Sequence, residues 1–118
     1  MESVHRTLGL ALVAVAAVGT VWAFVSGLLG RTSRALRAFV RLCALAVVAQ
    51  VVVGLLLLAT GHRPADALHL VYGGVVLLCI PSGIAYATGG DARREAWALS
   101  AGLLAAVLVA ARAIATGG

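Results

Sequence analysis

Lysine is missing from this chain, and carboxylates nearly so: Glu2, Asp66, Asp91 and Glu95 are the only acids among 118 residues. Charged residues make up 11% of the composition against 63% hydrophobic, and mean hydropathy is +1.10. No soluble domain of this length has a core large enough to hide that much apolar surface, so a soluble enzyme or binding module is excluded. Cysteine is scarce as well. Cys43 and Cys79 both fall inside apolar runs without CxxC spacing, which excludes a disulfide framework or zinc site and makes them two small hydrophobes. Every acid lies in a connection or at a helix end, so the intramembrane carboxylate that a coupled transporter wants is absent. Ser26, Ser82 and Ser100 have no neighbouring base, which leaves hydrolytic chemistry without support.

What the chain does have is arginine and long apolar runs. All nine basic residues are arginine, and they set a pI near 10.7. They punctuate apolar segments instead of clustering with aromatic partners, so they bear on membrane topology and anionic lipid and not on nucleic acid. Four runs, approximately 7–29, 42–60, 68–88 and 96–114, reach the ~20 residues needed to cross a hydrocarbon core. The connections RTSRALRAFVR, GHRPADA and GGDARRE are too short for a further domain, so neighbouring helices are antiparallel. The expected fold is all-α: one integral membrane four-helix bundle spanning 1–118. The first run follows Arg6 like a signal peptide but exceeds a signal h-region, and the strongest charge cluster follows it; it reads as a retained helix.

Arginine counting orients the bundle. Arg31, Arg34, Arg37 and Arg41 lie in the first connection and Arg93 and Arg94 in the third, against Arg6, Arg63 and Arg112 on the other side. The positive-inside rule puts the first and third connections in the cytoplasm and both termini outside, in a multi-pass protein of the cell membrane. Small residues at spacing four, Gly19-Ala23-Gly27 and Gly102-Ala106-Ala110, supply packing ridges. Pro81-Ser82-Gly83 is expected to kink the third helix. Gln50, deep in the second run, is a candidate first for an interhelical hydrogen bond and second for a cofactor or quinone contact.

The chemistry lies with histidine. The first and third helices open on His5-Arg6-Thr7-Leu8-Gly9 and His69-Leu70-Val71-Tyr72-Gly73, each with His at i and Gly one turn on, on one face. Both helices run the same way, so the imidazoles project at similar depth, and the glycines admit the edge of a planar ring. Bis-histidine ligation of low-spin iron by His5 and His69 is the chemistry implied. Arg6, Arg63 or Arg112 can reach the carboxylates of a b-type haem, Asp66 can accept from an imidazole or a propionic acid, and Tyr72 can pack beside the ring. His62, beside Pro64 in the turn, reads as a solvated loop residue.

These segments resemble haem A synthases. VHRTLGLALVAVAAVGTVW is similar to that family's ligand helix, which begins on an HR pair. QVVVGLLLLATG resembles its Q-x-x-x-G helix ending in Thr-Gly, and Asp66-Ala67-Leu68-His69 resembles its ExxH. The family has two four-helix halves, each with a histidine pair near the external surface, and this chain resembles one half with the helix order rotated. It departs from the pattern in Asp66 for Glu, in Leu70 where an Arg follows the histidine, and in lacking the external cysteine pair and long external loop. The resemblance implies haem binding more than the synthase reaction.

Two readings of different class follow. One is a small membrane b-type cytochrome holding haem b for electron transfer or haem handling, with membrane lipid and a quinone or redox protein as partners. The other is a non-redox accessory or assembly subunit of a larger membrane complex, in which the histidines are interfacial polar residues. Whether the chain forms a homo-oligomer stays open.

Overall fold

The computed structural model describes residues 2–117, which form four antiparallel helices in the order α1 (Glu2–Leu29), α2 (Arg34–Ala59), α3 (Leu68–Ala87) and α4 (Ala92–Thr116). All four are long and apolar enough to cross a membrane. The chain is an integral membrane four-helix bundle, 47 Å along its axis and 20 by 19 Å across. Each helix packs on its neighbours in the chain and α1 closes the ring on α4, so α1 and α3 are parallel and lie diagonally opposite.

One pattern organises the interior. Inward positions recur at steps of three and four residues on every helix. On α1 they are His5, Gly9, Leu12, Ala16, Gly19, Ala23 and Gly27. On α3 they are His69, Gly73, Val76, Ile80, Gly83 and Ala87. On α2 the stripe runs Leu36, Val40, Cys43, Val47, Gln50, Gly54, Leu57, and on α4 Ala96, Leu99, Leu103, Ala106, Ala110, Ala113, reaching the cap residue Gly117. A repeat averaging 3.5 residues keeps one seam of each helix on the bundle axis. Outward positions are larger, among them Val18, Leu45, Leu78 and Leu108. Helices in lipid gain by backbone approach and not by burying oily side chains, so the small residues turn inward.

The approach is closest in the half that carries the first and third connections. A Cβ on Gly83 would sit 2.9 Å from the Ala98 carbonyl oxygen, and one on Gly27 would sit 2.8 Å from the Trp97 ring. Ser100 Oγ donates to the Thr20 carbonyl at 3.2 Å, joining α4 to α1. Leu36, Val40, Ile80 and Leu103, the largest fully enclosed side chains, fill this half and the middle of the bundle.

Three expected helix starts move. α2 begins at Arg34, not near 42, because the Ser33 hydroxyl accepts from Leu36 N at 3.1 Å and caps it. Arg34, Arg37 and Arg41 therefore sit on helix and not in a loop. α4 begins at Ala92 because Asp91 accepts from Arg94 N at 2.8 Å. Arg37 then reaches Glu95 with a bidentate pair at 2.8 and 2.9 Å, tying the first turns of α2 and α4 together. α1 likewise starts earlier, so His5 lies within the helix. α3 continues through Pro81 to Ala87. Each connection opens on a glycine with positive φ, Gly30, Gly61 and Gly89, where the chain turns off a helix end.

Candidate functional site

At the opposite end the inward stripe changes character. His5, Gly9, Gln50, Gly54, His69 and Gly73 stand on it, with Gly117 at the end of α4. Glycine supplies nothing to fill the axis, and the polar groups do not close over it. A cavity of about 700 Å³ results, floored by Leu12, Val47, Val76 and Ala110. That is the size of clefts that take small molecules and cofactors, roughly 300–1,000 Å³.

The two histidines meet across this cavity. Their ring centroids are 6.0 Å apart with planes at 81°. The parallel, diagonal placement of α1 and α3 brings this about, since each imidazole stands on an inward position at the same end. Imidazole nitrogens on opposite sides of one metal ion, each about 2 Å from it, hold their ring centroids roughly 6 Å apart, so the separation of this edge-to-face pair is compatible with a metal between them.

The rings are secured differently. His69 Nδ1–H donates to the Ala113 carbonyl at 2.6 Å, which fixes the tautomer and leaves Nε2 as the bare nitrogen. The same carbonyl accepts from Gly117 N at 2.9 Å and Thr116 Oγ1 at 3.1 Å. The ring lies so close to Gly117 that a Cβ there would stand 2.9 Å from its Cε1 and Nδ1. Asp66 N donates to the Thr116 carbonyl at 3.0 Å, so the turn before α3 is bound to the end of α4. His69 is thus held by α4. His5 is seated on α2 instead. Gln50 Nε2 donates to the His5 carbonyl at 2.6 Å, the interhelical bond expected of that glutamine. One turn further, Gly54 admits the imidazole; a Cβ there would meet His5 Cε1 at 3.1 Å. Among the described residues, His5 Nδ1 and Gln50 Oε1 are the buried side-chain polar atoms that have no hydrogen-bond partner.

The remaining residues of the expected site divide. Gly73 faces open cavity, where an added Cβ would meet no atom within 4 Å, and Gly74 beside it does the same. Gly9 also borders the cavity, but the space next to it is taken by Gln50 Nε2 at 3.1 Å and Ile114 at 3.8 Å. Arg6 and Arg63 line the cavity rim. His62 lines it too, exposed, with Nδ1 3.1 Å from Thr60 Oγ1. Arg112, Asp66 and Tyr72 are not among the lining residues. Arg112 is exposed on α4, Tyr72 is half-buried, and Asp66 Oδ1 accepts from Leu68 N at 2.9 Å to start α3. The acceptor for the His69 ring is therefore a backbone carbonyl and not Asp66. Sequence spacing alone does not single out Ala113 and Gly117, whose part is played by backbone; Gly54 carries a signal in the Q-x-x-x-G spacing.

No family model, curated protein or solved structure matches this chain. Function is therefore read from the site alone. It offers two inward imidazoles at metal-sharing distance, one with its tautomer fixed, glycine space beside one of them, and two arginines at the mouth.

Proposed function

We propose that this protein is a small membrane b-type cytochrome that holds haem between His5 and His69. The observation that carries the reading is the 6.0 Å separation of the two rings across a cavity of about 700 Å³. The open face of Gly73 accords with a group that enters from the cavity. Bound there, haem supplies one-electron redox chemistry at its iron. The chain's own residues do the rest. His69 presents Nε2 because Ala113 occupies its other nitrogen, His5 is seated on Gln50 and Gly54, and Arg6 and Arg63 offer charge-assisted bonds to carboxylates at the rim. The apolar floor keeps water from the inner edge of the site.

The kinship with haem A synthases suggested by the H-R, Q-x-x-x-G and D-x-x-H segments belongs to the same proposal, as haem binding and handling and not as the synthase reaction. Six arginines near the other end against three near this one support an orientation in the cell membrane with both termini and the cavity facing outside. A quinone or a redox protein is the exchange partner this orientation suits.

Absorption spectra of the detergent-purified protein, oxidised and reduced, test the reading. Wild type is expected to give a low-spin b-type spectrum. His5→Ala and His69→Ala each abolish it, while His62→Ala, exposed at the rim, leaves it nearly intact. A colourless wild type would leave the accessory-subunit reading in possession. Loss of haem in His62→Ala with retention in His5→Ala would move the site to the turn.

A further inference from the structure

Two buried polar atoms lack partners, and they belong to residues already joined. Gln50 Nε2 is bonded to the His5 carbonyl at 2.6 Å, so the Gln50 amide cannot leave the neighbourhood of His5. Its other atom, Oε1, can only accept. Nδ1 of His5 can donate whenever Nε2 is the bare nitrogen. Each orphan is what the other needs, and a buried polar group left unpaired is destabilising. Gly54 lets the His5 ring pack against α2 beside Gln50, its Cε1 3.1 Å from where a Cβ would stand. On the opposite helix the same problem is solved by a fixed acceptor, the Ala113 carbonyl, on Nδ1 of His69.

We infer that Gln50 is a positioning residue for His5: with haem bound, Gln50 Oε1 accepts from His5 Nδ1–H, directing Nε2 into the cavity. This rests on the haem reading above. Both ligands then carry a hydrogen bond at Nδ1, one to a backbone carbonyl and one to a side-chain amide. A bond at that nitrogen makes an imidazole a stronger donor to its metal and stabilises the more oxidised state. Of the two, only the Gln50 bond can be removed by substitution without touching the backbone. Gln50 therefore sets the redox potential as well as the ring's direction.

The experiment is a redox titration of haem bound to the purified full chain, with the low-spin electron paramagnetic resonance signal recorded on the same samples. Gln50→Leu is expected to keep a bis-histidine spectrum, raise the midpoint potential and shift the largest g value. Gln50→Glu retains an acceptor oxygen at the same reach, and its potential is expected at or below that of wild type. Should Gln50→Leu fail to accumulate in the membrane, Gln50→Met fills the same length without an acceptor and carries the same expectation. A purely structural glutamine predicts something else: less haem and lower thermal stability in every variant, with potential and g values unchanged in the haem retained. That result overturns the inference and leaves the cytochrome reading standing. A wild type that binds no haem overturns both.

Discussion

Glycine does opposite jobs in the two halves of this bundle, and the surroundings of an added Cβ separate them. At Gly83 the added carbon would collide with backbone, 2.9 Å from the Ala98 carbonyl oxygen and 3.0 Å from Gly102 Cα. Backbone cannot rotate away as a side-chain tip can. Gly83→Leu is expected to force α3 off α4 and cost about 1–3 kcal/mol or more, seen as earlier thermal unfolding in detergent. Gly73 faces only cavity, so Gly73→Leu removes no contact. The bundle should insert and unfold as wild type does, while the space beside His69 is filled and haem content falls. Equal haem content in Gly73→Leu and wild type would show that the glycine is not there to admit a ring. Gly9 shares the spacing of Gly73 but not its surroundings: Gln50 already stands beside it, so a larger residue there presses on the seat of His5.

The helices start where caps allow and not where hydrophobicity begins. Ser33 and Asp91 each accept from the backbone three residues on, and each extends a helix into arginine-rich sequence that hydropathy alone assigns to a connection. Replacing either by Ala is expected to cost about 1 kcal/mol, measured by reversible unfolding in mixed micelles, without change at the distant cavity. Extending α2 and α4 also creates the Arg37–Glu95 pair, which needs both first turns in helical register. Arg37→Ala is expected to loosen that end, read as faster amide exchange in the first turns of α2 and α4. At the other end, α3 owes its start to Asp66 and its placement to the bond between Asp66 N and Thr116 O. The connection that leads into His69 is thereby fastened to the end of α4.

At the scale of the molecule, the bundle is tight at one end and hollow at the other, and the arginines are divided unequally between the two. The tight end collects Arg31, Arg34, Arg37, Arg41, Arg93 and Arg94. A reporter fused after Gly118 is expected to be active only outside the cytoplasm, and one inserted at Thr32 only inside it. The reverse pattern would place the cavity at the cytoplasmic face and change the pool of redox partners it can meet. Arg6 and Arg63 stay at the cavity mouth in either case, so the proposed haem binding does not depend on this outcome.

Composition and run length were enough to determine a four-helix membrane bundle, because 63% apolar residues in four spanning runs leave a chain no other way to satisfy its backbone. The pairing of His5 with His69 was likewise legible as an expectation, since two HxxxG segments at the heads of parallel helices fall at equal depth. The inward stripe was harder to read. In water the buried face stands out by hydrophobicity, but lipid makes Leu45 on the outside as apolar as Leu103 within, so hydropathy does not mark the seam. Tertiary structure alone decided that α1 and α3 lie across a diagonal, which sets the distance between the imidazoles. It also decided that Ala113 holds the His69 ring and that Gln50 and Gly54 seat His5. Those partners lie 44, 45 and 49 positions away in the chain, and one acts through its carbonyl, which every residue possesses and no side-chain pattern can reveal.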